Sequence, residues 1–318
     1  MAAVISLIIP CFNEEESLGL LYAELCNTSS SMEKQYGVGF EFLLVDDGSR
    51  DRTLPILREL AEKDSRVHYI SFSRNFGKES AIYAGLNGCT GDYIAILDAD
   101  LQHPPAMLHE MYEGIVNEHY DCVAARRTTR SGEPPIRSFF ARNFYRIVNR
   151  MTNTKMVDGA TDFAMMTRQV ADAILNMPEY NRFSKGIFSW VGFETKWLPF
   201  PNVERAAGST KWSFGKLFLY SVDGIVSFST VPLAAASVLG ILLCMISFIM
   251  ICVVVLKTLL YGDPVAGFPT LICAICFIGG IQLLCMGIVG QYVAKMYMEV
   301  KRRPIYLEKE SRLGNKAK

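Results

Sequence analysis

Several features that would identify common classes of protein are missing from this sequence. The first strand-like segment, residues 4–10, is not followed by a Gly-x-Gly-x-x-Gly motif, so a dinucleotide site of the Rossmann type is disfavoured. The formal net charge is zero, and no global field therefore favours nucleic acid as a partner. The nine cysteines are scattered without a disulfide framework, which indicates reduced side chains that fill apolar space.

Charge is also absent from two long segments of the C-terminal third, residues 232–256 and 265–294. At ~1.5 Å per helical residue, each segment is long enough to cross a hydrocarbon core of about 30 Å. We therefore predict a transmembrane hairpin over residues 231–293, with spans at about 231–257 and 268–293. A pair of buried core helices is the alternative, although core helices of this length rarely lack charge on every side.

The basic residues around these spans predict their orientation. Four of them follow the second span: Lys295, Lys301, Arg302 and Arg303. The connector between the spans carries only Lys257, so the positive-inside rule places the C-terminus in the cytoplasm. Residues 1–10 lack the basic region of a signal peptide. We predict a two-span protein of the plasma membrane with its N-terminal domain and both termini in the cytoplasm.

Apolar strand-like segments alternate with amphipathic helix-like segments in the N-terminal two thirds. The predicted strands begin at Val4, Glu41, Val67, Tyr93 and Tyr120. Such alternation predicts an α/β domain with a mostly parallel, right-handed sheet and helices on both faces. We assign residues 1–212 to this domain.

Polar side chains follow the ends of the first four predicted strands. They are Asn13, Glu14, Asp46, Asp47, Ser73, Lys78, Asp98 and Asp100. Open α/β sheets bind ligands at the carboxyl ends of their strands, so these side chains are expected to line one crevice. Some of these carboxylates could act as a base and others could bind a metal ion, with Lys78 near phosphate. This combination suits a nucleoside diphosphate held by a metal ion.

The segment Asp98-Ala-Asp-Leu-Gln-His103 carries the clearest metal signal. Two carboxylates spaced i, i+2 can both face the crevice if the backbone bends at Ala99, and their hard oxygen atoms suit Mg²⁺ or Mn²⁺. The alternative is a solvated acidic turn that caps the next helix, because three-residue motifs recur by chance.

Four motifs taken together resemble the glycosyltransferases of family 2, which have the GT-A fold. The motifs are Ile9-Pro-Cys-Phe-Asn-Glu-Glu15, Val45-Asp-Asp-Gly-Ser49, Arg74-Asn-Phe-Gly-Lys78 and Asp98-Ala-Asp-Leu-Gln-His-Pro-Pro105. The most similar branch acts on polyprenyl phosphates and includes bactoprenol glucosyltransferases and dolichol-phosphate mannose synthases. The resemblance covers essentially the whole chain, including the two predicted spans.

This resemblance implies an inverting transfer of a hexose from a nucleoside diphosphate sugar to polyprenyl phosphate, such as undecaprenyl phosphate, for cell-envelope glycans. Residues Pro10, Phe12, Glu14 and Asp46 would bind the nucleoside. Residues Asp98, Asp100 and Gln102 would meet the metal and the diphosphate. UDP-glucose is the first expected donor, before UDP-N-acetylglucosamine and GDP-mannose. Many hexose-transferring members have Asp where His103 stands, and mannose synthases often have His, so the sugar stays open.

The acceptor phosphate is expected to meet basic residues. Residues 126–150 contain seven arginines and one acid, and their second half predicts an amphipathic helix that lies either on the membrane or on the sheet. We assign the acceptor phosphate to Arg126, Arg137, Arg205, Ser209 and Lys211. The segment 204–212 could also close over the diphosphate with Gly208 as a hinge, or be a surface loop.

An inverting transfer needs a carboxylate that deprotonates or orients the attacking oxygen. By the family resemblance, Asp162, followed by Phe163, is this base. Asp158 is its local competitor, and a capping or turn role for Asp162 is the alternative. We also predict an interfacial amphipathic helix at 213–230 and a basic cytoplasmic tail at 294–318, and the resemblance implies a homo-oligomer.

Two other functions lack their expected signals. A processive polysaccharide synthase would carry a Gln-x-x-Arg-Trp motif and enough spans to enclose a channel, and the sequence has neither. A non-catalytic membrane scaffold of a glycosylation complex would be expected to have lost the acidic motifs, which are all intact.

Overall fold

The computed structural model describes residues 2–128, 149, 157, 159–200, 229–261 and 267–314. The chain divides into two units. The first comprises Met1–Leu217 together with Arg303–Lys318, and the second is Phe218–Arg302.

The first unit contains the strands and the shorter helices. Its strands are β1 (Val4–Cys11), β2 (Gly39–Asp46), β3 (Val67–Phe72), β4 (Tyr93–Ile96), β5 (Cys122–Arg127), β6 (Ala160–Thr167), β7 (Thr195–Phe200) and β8 (Glu308–Arg312). Its described helices are α1 (Leu18–Tyr36), α2 (Thr53–Lys63), α3 (Lys78–Gly88), α4 (Met107–Val116), α5 (Arg168–Leu175) and α6 (Ser184–Trp190).

The eight strands form one sheet in the order β7-β5-β6-β4-β1-β2-β3-β8. Strands β4, β1, β2 and β3 run parallel to one another, and β7 runs parallel to β5. Strand β6 is antiparallel to both β4 and β5, and β8 is antiparallel to β3. This mixed sheet with its helices confirms the predicted α/β fold class of the GT-A type.

The central strand β1 is buried on both sides because its side chains alternate between two helical layers. Ile5, Leu7 and Ile9 belong to the same hydrophobic cluster as the buried leucines of α1. Ile8 faces the opposite layer, where a Cβ added at Gly85 of α3 would lie 2.2 Å from its Cγ2 atom. Glycine therefore lets α3 lie directly on β1, and this close packing fixes the position of the first turn of α3.

Strand β8 completes the edge of the sheet with residues from the far end of the chain. It pairs with β3, and Arg58 donates two hydrogen bonds, of 2.7 and 2.6 Å, to the carboxylate of Glu310. Just before β8, Tyr306 stacks on Phe72 with ring centroids 4.8 Å apart. The predicted tail at 294–318 thus contains a strand that the sequence pattern does not predict, because its charged residues show no apolar alternation.

The second unit consists of two long apolar helices, α7 (Val231–Tyr261) and α8 (Phe268–Val300). Each contains a segment that is long and apolar enough to cross a membrane, Val231–Met250 and Phe277–Val300. Their described apolar side chains are largely exposed, whereas those of a core helix would be buried in the protein. The predicted interfacial helix at 213–230 lies outside the described residues, except for Ser229 and Thr230.

Candidate active site

The turns after β1 and β2 are joined by hydrogen bonds at the carboxyl edge of the sheet. Asn13 has a φ of 55° and donates its N–H to Ser49 Oγ at 2.9 Å, while Arg50 N–H donates to Asn13 Oδ1 at 2.9 Å. The N–H of Glu14 donates to Thr53 Oγ1 at 2.8 Å. Asn13 and Glu14, both predicted from the first motif, therefore lie beside the second motif as expected.

Asp46 ends β2 as a buried acceptor. Its Oδ1 accepts the Ser49 N–H at 2.9 Å, and its Oδ2 accepts the Ser71 hydroxyl at 2.7 Å. Next to it in space, Pro10 is half-buried at the end of β1, and Phe12 keeps 37 % of its surface exposed. An exposed aromatic ring beside a fixed carboxylate is suited to stacking and hydrogen bonding with a base and ribose.

Asp47 holds the loop that precedes α3. The N–H of Phe76 donates to its Oδ1 at 2.6 Å, and the N–H of Gly77 donates to its Oδ2 at 2.9 Å. Burial raises the pKa of Asp47 to about 6, although the two backbone hydrogen bonds oppose the rise. Asp47 therefore connects the motif Val45–Ser49 to the motif Arg74–Lys78 by hydrogen bonds. Its position in the sequence alone does not distinguish this structural role from nucleotide binding.

The raised pKa of Asp47 predicts that the free energy of unfolding depends on pH. Its pKa lies above the ordinary 3.8, so the folded state binds more protons than the unfolded state between these values. Its contribution is complete below about pH 4 and is lost as the pH rises through about 6. The free energy of unfolding of wild type relative to Asp47→Asn should fall by roughly 2–3 kcal/mol from pH 4 to pH 7. A difference that stays constant in denaturant titrations would contradict this assignment.

Gly48 makes the turn between Asp47 and Ser49 possible. Its φ is +68°, and an added Cβ would lie 2.4 Å from the carbonyl carbon of Arg74. Gly48→Ala is therefore expected to lower the free energy of unfolding by roughly 1–3 kcal/mol. Gly19→Ala is the matched control, because a Cβ there meets nothing within 4 Å in helix α1, and should be neutral or stabilise by up to about 1 kcal/mol. Equal unfolding midpoints for the two variants would refute this explanation.

Lys78, the first residue of α3, lies between two carboxylates. Its Nζ is 2.6 Å from Asp98 Oδ1 and 2.6 Å from Asp162 Oδ2. Desolvation opposes charge on Lys78 and Asp162, yet the ion pairs raise the pKa of Lys78 and hold that of Asp162 well below its usual range. Asp162 is therefore an anion at neutral pH, and the proposed base and the proposed metal corner lie side by side.

The two oxygens of Asp162 have different surroundings. Oδ2 meets Lys78, whereas Oδ1 is buried and has no hydrogen-bond partner among the described residues. Strand β6 carries Asp162, and its antiparallel pairing with β4 places it beside the strand that leads to Asp98. A turn or capping role does not describe this residue, because it lies within a strand.

The turn after β4 forms the predicted metal corner, which comprises Asp98, Asp100 and Gln102. Leu101 has a φ of 57°, and the N–H of Gln102 donates to Asp100 Oδ1 at 3.1 Å. Gln102 Oε1 accepts a hydrogen bond of 3.1 Å from Arg127 Nη2. No group of three or more His, Cys, Asp or Glu side chains that could hold a metal occurs in the described part of the chain. The available donors are two carboxylates and one amide oxygen, with Ala99 buried between the acids.

This donor set fits Mg²⁺ or Mn²⁺ when a diphosphate supplies further oxygens. Mg²⁺ is commonly held by one or two carboxylates together with substrate phosphates, rather than by a complete cage of protein ligands. The Lys78 ammonium, 2.6 Å from Asp98 Oδ1, occupies part of this carboxylate.

His103 lies behind the metal corner rather than in the crevice. It is 1 % exposed, and its ring packs against Phe163 and Phe200 at centroid distances of 5.3 and 5.2 Å. Burial lowers its pKa, so the ring is neutral, and neither ring nitrogen has a hydrogen-bond partner among the described residues. Its Nδ1 is 3.9 Å from Asp98 Oδ2, which is beyond hydrogen-bond distance.

The remaining predicted residues are less closely connected to this centre. Ser73 lies beside β8, where its N–H donates to Leu307 O at 2.9 Å. Arg126 is exposed near the end of β5, whereas its neighbour Arg127 reaches Gln102. Four residues assigned to the acceptor phosphate lie outside the described residues: Arg137, Arg205, Ser209 and Lys211.

Two further groups near the centre have no distinctive sequence signal. Lys185 in α6 lowers the pKa of Asp162 through its charge. Glu79, next to Lys78, is half-buried and accepts hydrogen bonds from the N–H of Ser184 at 2.9 Å and from the Ser184 hydroxyl. Glu79 therefore connects the start of α3 to the start of α6, which carries Lys185.

Acidic turns lie over the carboxyl edge of a mixed α/β sheet, with the half-buried carboxylate of Asp162 from β6 beside them, and comparison with known proteins shows that the chain is a glycosyltransferase. The chain belongs to glycosyl transferase family 2, whose model matches residues 6–175. It is 42 % identical over 313 residues to the putative glycosyltransferase CsbB of Bacillus subtilis, covering 98 % of this chain and 93 % of that protein. It is 38 % identical over 315 residues to the SfII prophage-derived bactoprenol glucosyl transferase of Shigella flexneri, covering 98 % and 99 %.

Among solved structures, the chain is similar to glucosyl-3-phosphoglycerate synthase from Mycobacterium tuberculosis in complex with Mn²⁺ and UDP-glucose. The TM-score is 0.44 at 17 % identity, and the match covers 70 % of this chain and 77 % of the other.

Proposed function

We propose that this glycosyltransferase moves a hexose from a nucleoside diphosphate sugar to a polyprenyl phosphate, with inversion at the anomeric carbon. UDP-glucose is the first expected donor and undecaprenyl phosphate the acceptor, since relatives that match nearly the full chain are named bactoprenol glucosyl transferases. The lipid-linked product would then serve cell-envelope glycan modification.

The observation that carries this proposal is the unpaired Oδ1 of Asp162. A charged carboxylate with one oxygen fixed by Lys78 and the other without a described partner can receive a polar group of an acceptor. It lies next to the carboxylate assigned to the donor, Asp98, because Lys78 contacts both. Donor and acceptor would therefore meet over the carboxyl end of β4, beside the start of β6.

A single displacement accounts for the inversion. An oxygen of the acceptor phosphate forms a bond to the anomeric carbon, while the bond from that carbon to the diphosphate breaks. A phosphate monoester already carries negative charge near neutral pH, so Asp162 has little need to remove a proton. Its role is to orient the acceptor and to balance charge with Lys78.

The donor diphosphate would lie at Asp98, Asp100 and Gln102, with Mg²⁺ or Mn²⁺ as the cofactor. When bound, the cation would offset negative charge on the departing diphosphate. The nucleoside would lie against Pro10, Phe12, Glu14 and Asp46. Arg126 and Arg127 end β5 beside this corner, and the residues Arg137, Arg205, Ser209 and Lys211 remain the predicted partners of the acceptor phosphate.

We place the enzyme in the plasma membrane with both termini in the cytoplasm, as a homo-oligomer. The two apolar helices and the basic residues that follow α8 support this topology. A reporter that works only in the cytoplasm should be active when it is fused to the C-terminus. A fusion that is expressed but inactive would indicate the opposite orientation.

The donor and acceptor can be tested directly. Membranes containing the enzyme are incubated with radiolabelled UDP-glucose, UDP-N-acetylglucosamine or GDP-mannose, and the lipids are extracted. Label is expected in a polyprenyl-phosphate-linked product with UDP-glucose, and not in membranes containing Asp162→Asn. Label from another donor alone would change the sugar assignment. Absence of labelled lipid with every donor, despite added undecaprenyl phosphate, would overturn the proposed function.

A further inference from the structure

The position of Lys78 creates a conflict with the proposed metal site. Its ammonium is 2.6 Å from Asp98 Oδ1, which is a hydrogen-bonding contact that takes up one lone pair of that oxygen. A divalent cation beside the ammonium would also be repelled, since both charges would share one carboxylate. The ammonium and the metal therefore compete for the charge of Asp98.

The Lys78 ammonium has a second partner and can move away from Asp98. Asp162 Oδ2 also contacts Nζ at 2.6 Å, so Lys78 keeps one carboxylate when it leaves the other. The side chain of Lys78 is 41 % exposed, in contrast to 16 % for that of Asp162. Its backbone is fixed at the start of α3, where the preceding Gly77 is held by Asp47. Only the side chain needs to move for the contact with Asp98 to open.

We propose that Lys78 is a competing cation, which neutralises Asp98 in the free enzyme and makes tight metal binding depend on the nucleoside diphosphate. The diphosphate gives the displaced ammonium an anionic partner and gives the metal further oxygen ligands, so the two ligands bind together. This coupling keeps the acidic corner from binding a divalent cation before the donor arrives. The inference rests on the metal site of the proposed function.

The test is the affinity of the purified full-length enzyme for Mn²⁺, measured from the free-ion signal in electron paramagnetic resonance. Without nucleotide, Lys78→Met and Lys78→Gln are expected to bind Mn²⁺ roughly tenfold or more tightly than wild type. Lys78→Arg keeps the charge and should bind as weakly as wild type. Addition of UDP should tighten Mn²⁺ binding strongly in wild type and much less in Lys78→Met.

Lys185→Met is the matched control. It removes the same charge from the neighbourhood of Asp162, but Lys185 makes no hydrogen bond to Asp162 or Asp98 among the described residues. Its Mn²⁺ affinity should change by less than about twofold. An equal gain in Lys185→Met would mean that general electrostatics, rather than competition at Asp98, sets the affinity, and would overturn the inference.

Other outcomes separate this inference from the proposed function. If wild type binds Mn²⁺ and both neutral variants fold but bind it equally or more weakly, the competing-cation role is overturned. The transferase proposal stays intact in that case. If wild type and all variants fail to bind Mn²⁺ even with UDP, both the metal site and this inference are wrong. The transfer of labelled sugar to lipid, assayed separately, decides the proposed function in either case.

Discussion

Asp162→Asn is expected to lower the rate of sugar transfer to lipid by roughly 10²–10⁴-fold, the range lost when a positioned general base or orienting carboxylate is removed. Asparagine has nearly the same shape but no charge, so it cannot balance Lys78 or orient the acceptor through a carboxylate oxygen. Because Asp162 faces the acceptor in this mechanism, kcat should fall while the KM for the donor changes little. Initial rates of labelled lipid formation at saturating acceptor measure both quantities.

Asp158→Asn is the matched control for this prediction, since Asp158 is the neighbouring acid in the same segment. It should retain most of the wild-type rate. The reverse pattern, with Asp158→Asn inactive and Asp162→Asn active, would transfer the assigned role to Asp158. Thermal unfolding of each variant distinguishes loss of activity from loss of the folded domain.

Asp100→Asn is expected to reduce transfer by roughly 10²–10³-fold, because it removes one of the two carboxylates that the described residues place at the predicted metal corner. The backbone turn should persist, since the asparagine oxygen can still accept the Gln102 N–H. Mn²⁺ affinity should fall together with the rate, and excess Mn²⁺ should restore part of the activity.

Asp92→Asn provides the comparison for Asp100→Asn. Asp92 precedes β4 at its opposite end, and its Oδ2 accepts the Val4 N–H at 2.9 Å. The same substitution there should leave both the transfer rate and Mn²⁺ affinity near wild type. If both variants lost activity equally, a general effect of charge or stability on the domain would explain the result better than metal binding.

The acids after β1, β2 and β4 could be predicted from the sequence because parallel strands end at one edge. Each apolar run is short and is followed directly by its polar turn, so strand and site residues are local in the chain. The position of Asp162 is different. Strand β6 lies between β4 and β5 and runs antiparallel to both, and its pairing with β4 joins residues about 70 positions apart. Family resemblance, rather than any local pattern, indicates its role.

Neighbouring residues on a strand also show a limit of sequence patterns. Arg126 and Arg127 are adjacent in β5, and successive strand side chains point to opposite faces. The arginine-rich composition predicts an anion site at this end of the strand, but only the register of β5 shows that Arg127 reaches Gln102. His103 is a similar case, because its buried position between two phenylalanine rings depends on β6 and β7.

The pairing of β8 with β3 sets an order for the biogenesis of this enzyme. The ribosome makes residues 308–312 only after it has made both apolar helices, so the edge of β3 has no partner during most of synthesis. An unpaired strand edge can pair with other chains. The transferase domain therefore reaches its complete sheet only after the membrane helices have emerged, and newly made chains are most vulnerable to misassembly before that moment.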